Sequence, residues 1–233
     1  MTGKKKTPQY DRGEKLRARR ILRALKKLVP DARMALRYKN NWELLVAVIL
    51  SAQCTDKKVN EVTATLFKKY RKLDDYVSAK REEFEEDIYS TGFYRNKAKN
   101  ILAAARIVKE RFGGRIPRTM EDMLTLPGVS RKTANVVLGN AYGVVEGVAV
   151  DTHVARLARR FGLTRHTDPK KIEADLMELY PKSEWFMLTY YFIEYGRRHC
   201  PARAAHCPLD YLCAKTGGAG KKKSRARAQR GKG

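Results

Sequence analysis

Apolar residues recur at three- and four-residue intervals along most of the chain, the period of a helix with one buried face. Leu16, Ile21, Leu22, Leu25 and Leu28 mark the first stripe, which ends near Pro30. The run LLVAVIL, 44–50, has the composition of a buried strand, but it continues into SAQCTDKKVNEVTATLFKKY. There Val59, Val62, Leu66, Phe67 and Tyr70 return at helical spacing, which predicts a buried helix over 41–53 and an amphipathic one over 56–70, with Thr55 as N-cap. Further helices are predicted at 74–79, 81–88, 95–111, 120–125 and 131–139, and Thr119 with Asp122 forms a capping pattern behind Pro117. After Gly143 an irregular segment leads to a helix opening at Asp151, and Asp168-Pro169 pairs a cap with proline at the first helical position. The segment 184–197 is an aromatic-rich helix, and Trp185, Phe186, Tyr190, Tyr191, Phe192 and Tyr195 are read as core rather than as a platform for stacked bases. No series of Asn-Gly or Asp-Gly hairpin turns occurs, so the fold class is all-α.

Charge narrows the choice of partner. Fifty Lys and Arg against twenty-five Asp and Glu give a net charge of +25, which favours a polyanion and leaves RNA, DNA and an anionic membrane open. Residues 1–30 carry eleven basic and two acidic residues, and 215–233 carry eight basic and none acidic in KTGGAGKKKSRARAQRGKG. That tail is expected to be disordered and to add salt-sensitive attraction to phosphates, with solubility as its alternative use. The chain has no apolar run of 18 residues and no apolar core behind the early lysines, so neither insertion nor secretion is expected and the default location is cytoplasmic. Cys54 lies far from the other cysteines and no disulfide framework is evident, which fits a reducing compartment.

The most informative stretch is TMEDMLTLPGVSRKTANVVLGN, 119–140. Pro127 and Gly128 break one helix and Ser130 caps the next, so outward backbone N–H groups and a positive helix end together make a phosphate cradle that reads no bases. The turn alone fits an ordinary helical hairpin equally well. Lys132 changes the balance, because a cation in the first turn of a helix, beside Arg131, stands where the helix dipole disfavours it and its amine becomes a candidate nucleophile. Asp151, after VEGVAV and before THVARLARRFG, has two uses: N-cap for the amides that follow, which its spacing favours, or stabiliser of a developing positive charge.

LPGVSRKTANVV, followed nineteen residues after Lys132 by the aspartate of VAVDTHVARLARRFG, resembles the helix-hairpin-helix DNA glycosylases, and most closely the endonuclease III proteins. The similarity runs from about residue 15 to 213 and includes LSAQCTDKKVN, 50–60, and TGFYRNKAKNI, 91–101. It implies a two-lobed helical fold with a DNA-binding cleft: a six-helix lobe over 34–144, and a second lobe made of 1–33 and 145–213, followed by the basic tail 214–233. It assigns Lys132 the role of nucleophile and Asp151 that of acidic partner. It places Gln53 at the gap left by an extruded nucleotide and Phe93 near the opposite strand, and gives Pro127, Gly128, Val129 and Ser130 the phosphate-binding turn, with Arg131 and His153 among the DNA contacts. Ser130 departs from the glycine usual there, a change compatible with binding through the backbone.

The implied activity is bifunctional base excision repair: release of an oxidised pyrimidine of the thymine glycol type from damaged duplex DNA, then β-elimination through a lysine Schiff base. Adenine glycosylases of the family usually lack this lysine and carry a further C-terminal domain, so Lys132 and the short chain point to pyrimidines and to lyase action. The alternatives are a mismatch thymine or uracil glycosylase with weak lyase activity, and a non-catalytic DNA-binding module in which Lys132 contacts phosphate and Asp151 only caps. A nucleoid-associated monomer without a membrane partner is expected, and neither reaction requires a cofactor.

The family commonly holds a [4Fe-4S] cluster through C-x6-C-x2-C-x5-C. HCPARAAHCPLDYLC, 199–213, offers C-x6-C-x5-C, one thiolate short. The leading expectation is therefore a packed terminus without metal, in which Cys207, Leu209, Leu212 and Cys213 lie against the aromatic helix. If a cluster or a zinc ion is held there, Cys200, Cys207 and Cys213 are its ligands, with His206 as the further donor.

Overall fold

The computed structural model describes residues 10–213. The expectations for the basic tail 214–233 and for the first nine residues lie outside that range. Eleven α-helices follow in order: α1 Arg12–Leu28, α2 Asn41–Leu50, α3 Asp56–Lys69, α4 Leu73–Ser78, α5 Arg81–Asp87, α6 Tyr94–Phe112, α7 Met120–Leu124, α8 Arg131–Tyr142, α9 Thr152–Arg160, α10 Pro169–Leu179 and α11 Lys182–Arg198. Two short 3-10 turns, Tyr89–Thr91 and Asp210–Leu212, complete the described residues, which contain no strand.

The helices start where short polar side chains satisfy orphan amides. Thr55 accepts from the Lys58 amide, Thr119 from Asp122, Ser130 from Thr133, Asp151 from Val154 and Asp168 from Lys170. Helix α2 ends at Leu50, three residues before the predicted end, because the chain turns at Ser51 and passes through a left-handed conformation at Gln53, φ 52°. Helix α8 runs on to Tyr142, where Gly143 takes φ 66° and closes it. Leu16, placed on the buried stripe of α1, is half exposed; Ala18, Ile21, Leu22 and Leu25 bury that face.

Two hydrophobic cores form. The first joins α2 to α8, with Leu44, Leu45 and Leu50 of α2 packed among Ile101, Phe84, Tyr76, Val137 and Leu138. The second joins α1 to α9, α10 and α11, with Ile21, Leu25, Leu157, Phe161, Leu176, Phe192 and Tyr195 at its centre. Tyr190, Phe192 and Tyr195 are buried and Trp185, Phe186 and Tyr191 are half-buried against the same core, so the aromatic helix is packing material. The extended segment before α9 serves both cores by alternation: Val148 and Val150 face the second and Ala149 the first. Polar ties cross the same boundary. Thr189 Oγ1 donates to the Ala149 carbonyl, Asn140 Nδ2 to the Tyr190 hydroxyl, and Arg197 pairs with Asp56 at 2.6 Å.

Candidate active site

The turn between α7 and α8 is built as its sequence suggests. Gly128 has φ 78°, and a Cβ there would stand 2.9 Å from Asn100 Cβ, so glycine is required both by the backbone and by the approach of α6. The Val129 amide turns back to the Leu126 carbonyl and the Val129 side chain is buried, which anchors the turn in the first core. Among the described residues, no acceptor takes the amides of Gly128, Ser130, Arg131 or Lys132, and Gly128 and Ser130 are exposed. Such a set of unsatisfied donors at a helix start suits one phosphate.

Lys132 and Asp151 sit at the openings of α8 and α9, two helices that belong to different cores. Both line one cavity of about 580 Å³, which they share with Gln53, Cys54, Asp56, His153, Tyr190 and Arg197. Asp151 does cap α9, through a 2.8 Å bond from the Val154 amide to Oδ1. Its other oxygen has no protein partner among the described residues, so capping uses one oxygen and leaves one for the cavity. Four of the residues singled out in the sequence, Gln53, Lys132, Asp151 and His153, thus meet at one place. Phe93, Pro127, Gly128, Val129, Ser130 and Arg131 lie outside that cavity; Phe93 projects from the start of α6, two-thirds exposed.

His153 is half-buried under α11. Its Nδ1 is buried without a partner, and a Cβ at Gly196 would come within 2.7 Å of that atom, so α11 approaches the ring through a glycine. Burial holds the imidazole below its usual pKa; Arg197 and Arg156 push the same way, while Asp151 and Asp56 oppose them. A largely neutral ring beside Asp151 suits a polar contact better than a phosphate clamp. Asp56 and Arg197, absent from the sequence expectations, form an ion pair on the cavity wall; the signal was weak, because an acidic first-turn residue and a basic last-turn residue are ordinary helix-end choices.

Arg131 was expected among the DNA contacts. Its guanidinium donates to Glu173 of α10 at 2.7 Å, and Glu173 is buried and also accepts from Asn135 of α8 at 2.9 Å. A Cβ at Gly147 would overlap Glu173, so the strand-like segment leaves room for this carboxylate. The Arg131 guanidinium therefore joins the two cores behind Lys132, while its amide stays among the free donors of the turn.

The C-terminal loop departs from the sequence reading, which found no disulfide. Cys200 and Cys207 are bonded to each other. A turn in which the Ala204 amide donates to the Pro201 carbonyl brings their Cα atoms to 5.3 Å, a folding-back that cysteine spacing alone does not reveal. Cys213 is free, and Cys54 is packed against the first core. The residues do not fit a four-thiolate cluster: even with the Cys200–Cys207 bond open, three sulfurs are one short, and His206 is exposed. Among the described residues no group of three or more His, Cys, Asp or Glu side chains is arranged to hold a metal ion.

Arginines of α9 bracket this loop instead. Arg160 meets Asp210 through two bonds of 2.9 and 2.8 Å and donates to the carbonyls of Ala204 and Ala205, Arg156 donates to the Cys200 carbonyl, and Asp210 accepts from the Cys207 amide. The Arg160 hydrogen bonds hold the Asp210 carboxyl down at about 2. Because that pKa is depressed on folding, the bracket stabilises the protein above the unfolded carboxyl value of 3.8 and is lost as pH falls through about 2. Arg160→Ala is expected to lower Tm at pH 7 by about 3–10 °C. Thermal unfolding between pH 7 and pH 2 should show that deficit shrinking below pH 4; a deficit undiminished at pH 2 would mean the arginine acts through the Ala204 and Ala205 carbonyls and packing, and not through Asp210.

Residues 46–182 match the family model described as HhH-GPD superfamily base excision DNA repair protein. The chain is 52% identical over 203 residues to Endonuclease III of Synechocystis, covering 86% of this chain and 93% of that protein. It is 47% identical over 190 residues to Endonuclease III of Bacillus subtilis, covering 80% and 86%. Its structure superposes on that of a trapped Endonuclease III–DNA covalent intermediate with a TM-score of 0.82 at 45% identity, covering 85% of this chain and 95% of the other. Among the described residues no helix is long and apolar enough to cross a membrane. The chain belongs to the HhH-GPD superfamily of base excision DNA repair proteins and, within it, to the endonuclease III family.

Proposed function

We propose that this protein is a bifunctional DNA glycosylase and abasic-site lyase that removes oxidised pyrimidines from duplex DNA, acting at the nucleoid. The observation that carries the reading is the meeting of Lys132, Asp151 and Gln53 at one cavity between two cores, beside a turn with free amides. The two cores support a division into two lobes, 34–144 and, within the described residues, 10–33 with 145–213, and DNA lies across the cleft between them. The turn at Pro127–Ser130 takes a backbone phosphate, and the damaged nucleotide swings out into the cavity at a cost lowered by its weakened pairing. Gln53 fills the space it leaves.

As the N-glycosidic bond stretches, positive charge grows on the sugar and the free oxygen of Asp151 stabilises it. The neutral Lys132 amine attacks C1′, the bond's electron pair leaves with the base, and the base takes up a proton. Opening of the sugar ring gives a Schiff base between Nζ and C1′. That electron sink lets a C2′ proton depart while the C3′–O bond breaks and the 3′-phosphate leaves with its pair; water then hydrolyses the Schiff base and frees the amine. The amine, the carboxylate and water between them carry these steps, so the route needs no metal or nucleotide cofactor.

Duplexes containing thymine glycol, a T·G mismatch or uracil distinguish the readings. Base release and nicking, in equal amounts, are expected from the thymine glycol duplex. Release from the mismatch without nicking, with the thymine glycol duplex untouched, would replace the proposal by a mismatch glycosylase.

A further inference from the structure

Lys97 is 5% exposed in the second turn of α6, and among the described residues no carboxylate pairs with it. Its Nζ donates to two backbone carbonyls at 2.8 Å each: that of Leu50, the last residue of α2, and that of Thr91, at the end of the 3-10 turn before α6. A cation at the C-terminal end of α2 is favourably placed, yet burial strips it of hydration and pushes the amine's pKa down. A methionine would fill the same space without that cost.

What the lysine joins gives it a purpose. Leu50 lies three residues before Gln53 and Thr91 two before Phe93. Gln53, φ 52°, and Phe93, φ 49°, are the only non-glycine residues among those described that adopt the left-handed conformation. Each is a strained backbone state that persists only where its surroundings hold it. Both side chains are exposed, and Phe93 caps α6 with no side-chain hydrogen bond. The two strained residues therefore lie on two loops, 51–53 and 92–93, whose bases are tied to a single buried ammonium.

The geometry points to Lys97 as a positioning residue that locks the Gln53 and Phe93 loops into one rigid unit, so that both side chains enter the opened duplex together at a fixed separation. The inference rests on the glycosylase reading and adds to it: nucleotide extrusion depends on a lysine that never touches DNA. Its burial also bars Lys97 from acting as a second nucleophile.

The test compares Lys97→Met with the wild-type chain on two substrates. One is a duplex carrying thymine glycol, with 2-aminopurine opposite the lesion to report unstacking; the other is a single-stranded abasic oligonucleotide, which has no duplex to open. Lys97→Met is expected to lose at least tenfold in single-turnover base release at saturating duplex and most of the 2-aminopurine signal, while borohydride trapping on the single strand stays within twofold. Parallel losses on both substrates, or no loss on the duplex, would overturn the inference. A cycle of Gln53→Ala, Phe93→Ala and the double variant, with Lys97 retained, decides it even if Lys97→Met does not fold. Effects on base release that multiply within twofold contradict a shared clamp, and a double variant little worse than either single supports it. A wild-type chain that traps on neither substrate would overturn the lyase reading, while the fluorescence signal still decides the clamp.

Discussion

Lys132→Ala should leave no borohydride-trapped adduct and should reduce base release from a thymine glycol duplex by at least about 10³-fold, because the amine is both the attacking group and the electron sink for strand cleavage. The fold should not suffer. Alanine is the best helix former, and the substitution removes a cation from the first turn of α8, where the helix dipole disfavours it, so stability is expected to hold or rise by about 0.3–1 kcal/mol. Binding to damaged duplex should weaken only as far as the loss of one cation allows, a decrease of about 1 in the salt slope. Titration of binding against salt, alongside single-turnover assays, checks both halves. Loss of binding in proportion to activity would return Lys132 to the role of a phosphate contact.

Asp151→Asn should lower base release by about 10²–10⁴-fold while changing unfolding stability by less than about 1 kcal/mol. The separation is possible because the residue has two oxygens with different work. Oδ1 accepts the Val154 amide at 2.8 Å, a bond the asparagine carbonyl can replace, since asparagine caps helices as well as aspartate. The second oxygen has no protein partner among the described residues and belongs to a residue that lines the cavity, where only a carboxylate meets a developing positive charge. Chemical denaturation together with single-turnover base release measures the two roles independently. A variant that turns over normally but unfolds more easily would establish the cap as the residue's whole contribution.

Local chemistry made much of the fold legible. Thr55, Thr119, Ser130, Asp151 and Asp168 all cap the helices they were expected to start, because capping depends on a side chain and an amide two or three residues away. The aromatic helix and the buried α2 were legible from composition and period. The misses share a different origin, in that each depends on groups distant in sequence. Gln53 stops α2 early because α6 and its lysine hold the turn; nothing in LLVAVILSAQ marks that point. Lys97, in YRNKAKNI, looks like one more surface lysine, and its burial follows from two carbonyls supplied by other segments.

The site divides the same way. Lys132 and Asp151 stood out through their positions at helix starts, and the structure brings both to one cavity, but nothing near Arg131 in the sequence showed that Glu173, forty-two residues away, takes its guanidinium. Spacing could show that HCPARAAHCPLDYLC lacks a fourth thiolate. It could not show that Cys200 folds back onto Cys207, or that Arg156 and Arg160 pin the loop.

The central claim is that one amine performs both bond changes, and the most direct measurement is to identify the residue that carries the sugar. Wild-type protein reacted with a thymine glycol duplex, reduced with borohydride, digested and sequenced by mass spectrometry should give a single DNA-linked peptide, modified at Lys132. Modification at another lysine, or release of the base with no adduct at all, would contradict it.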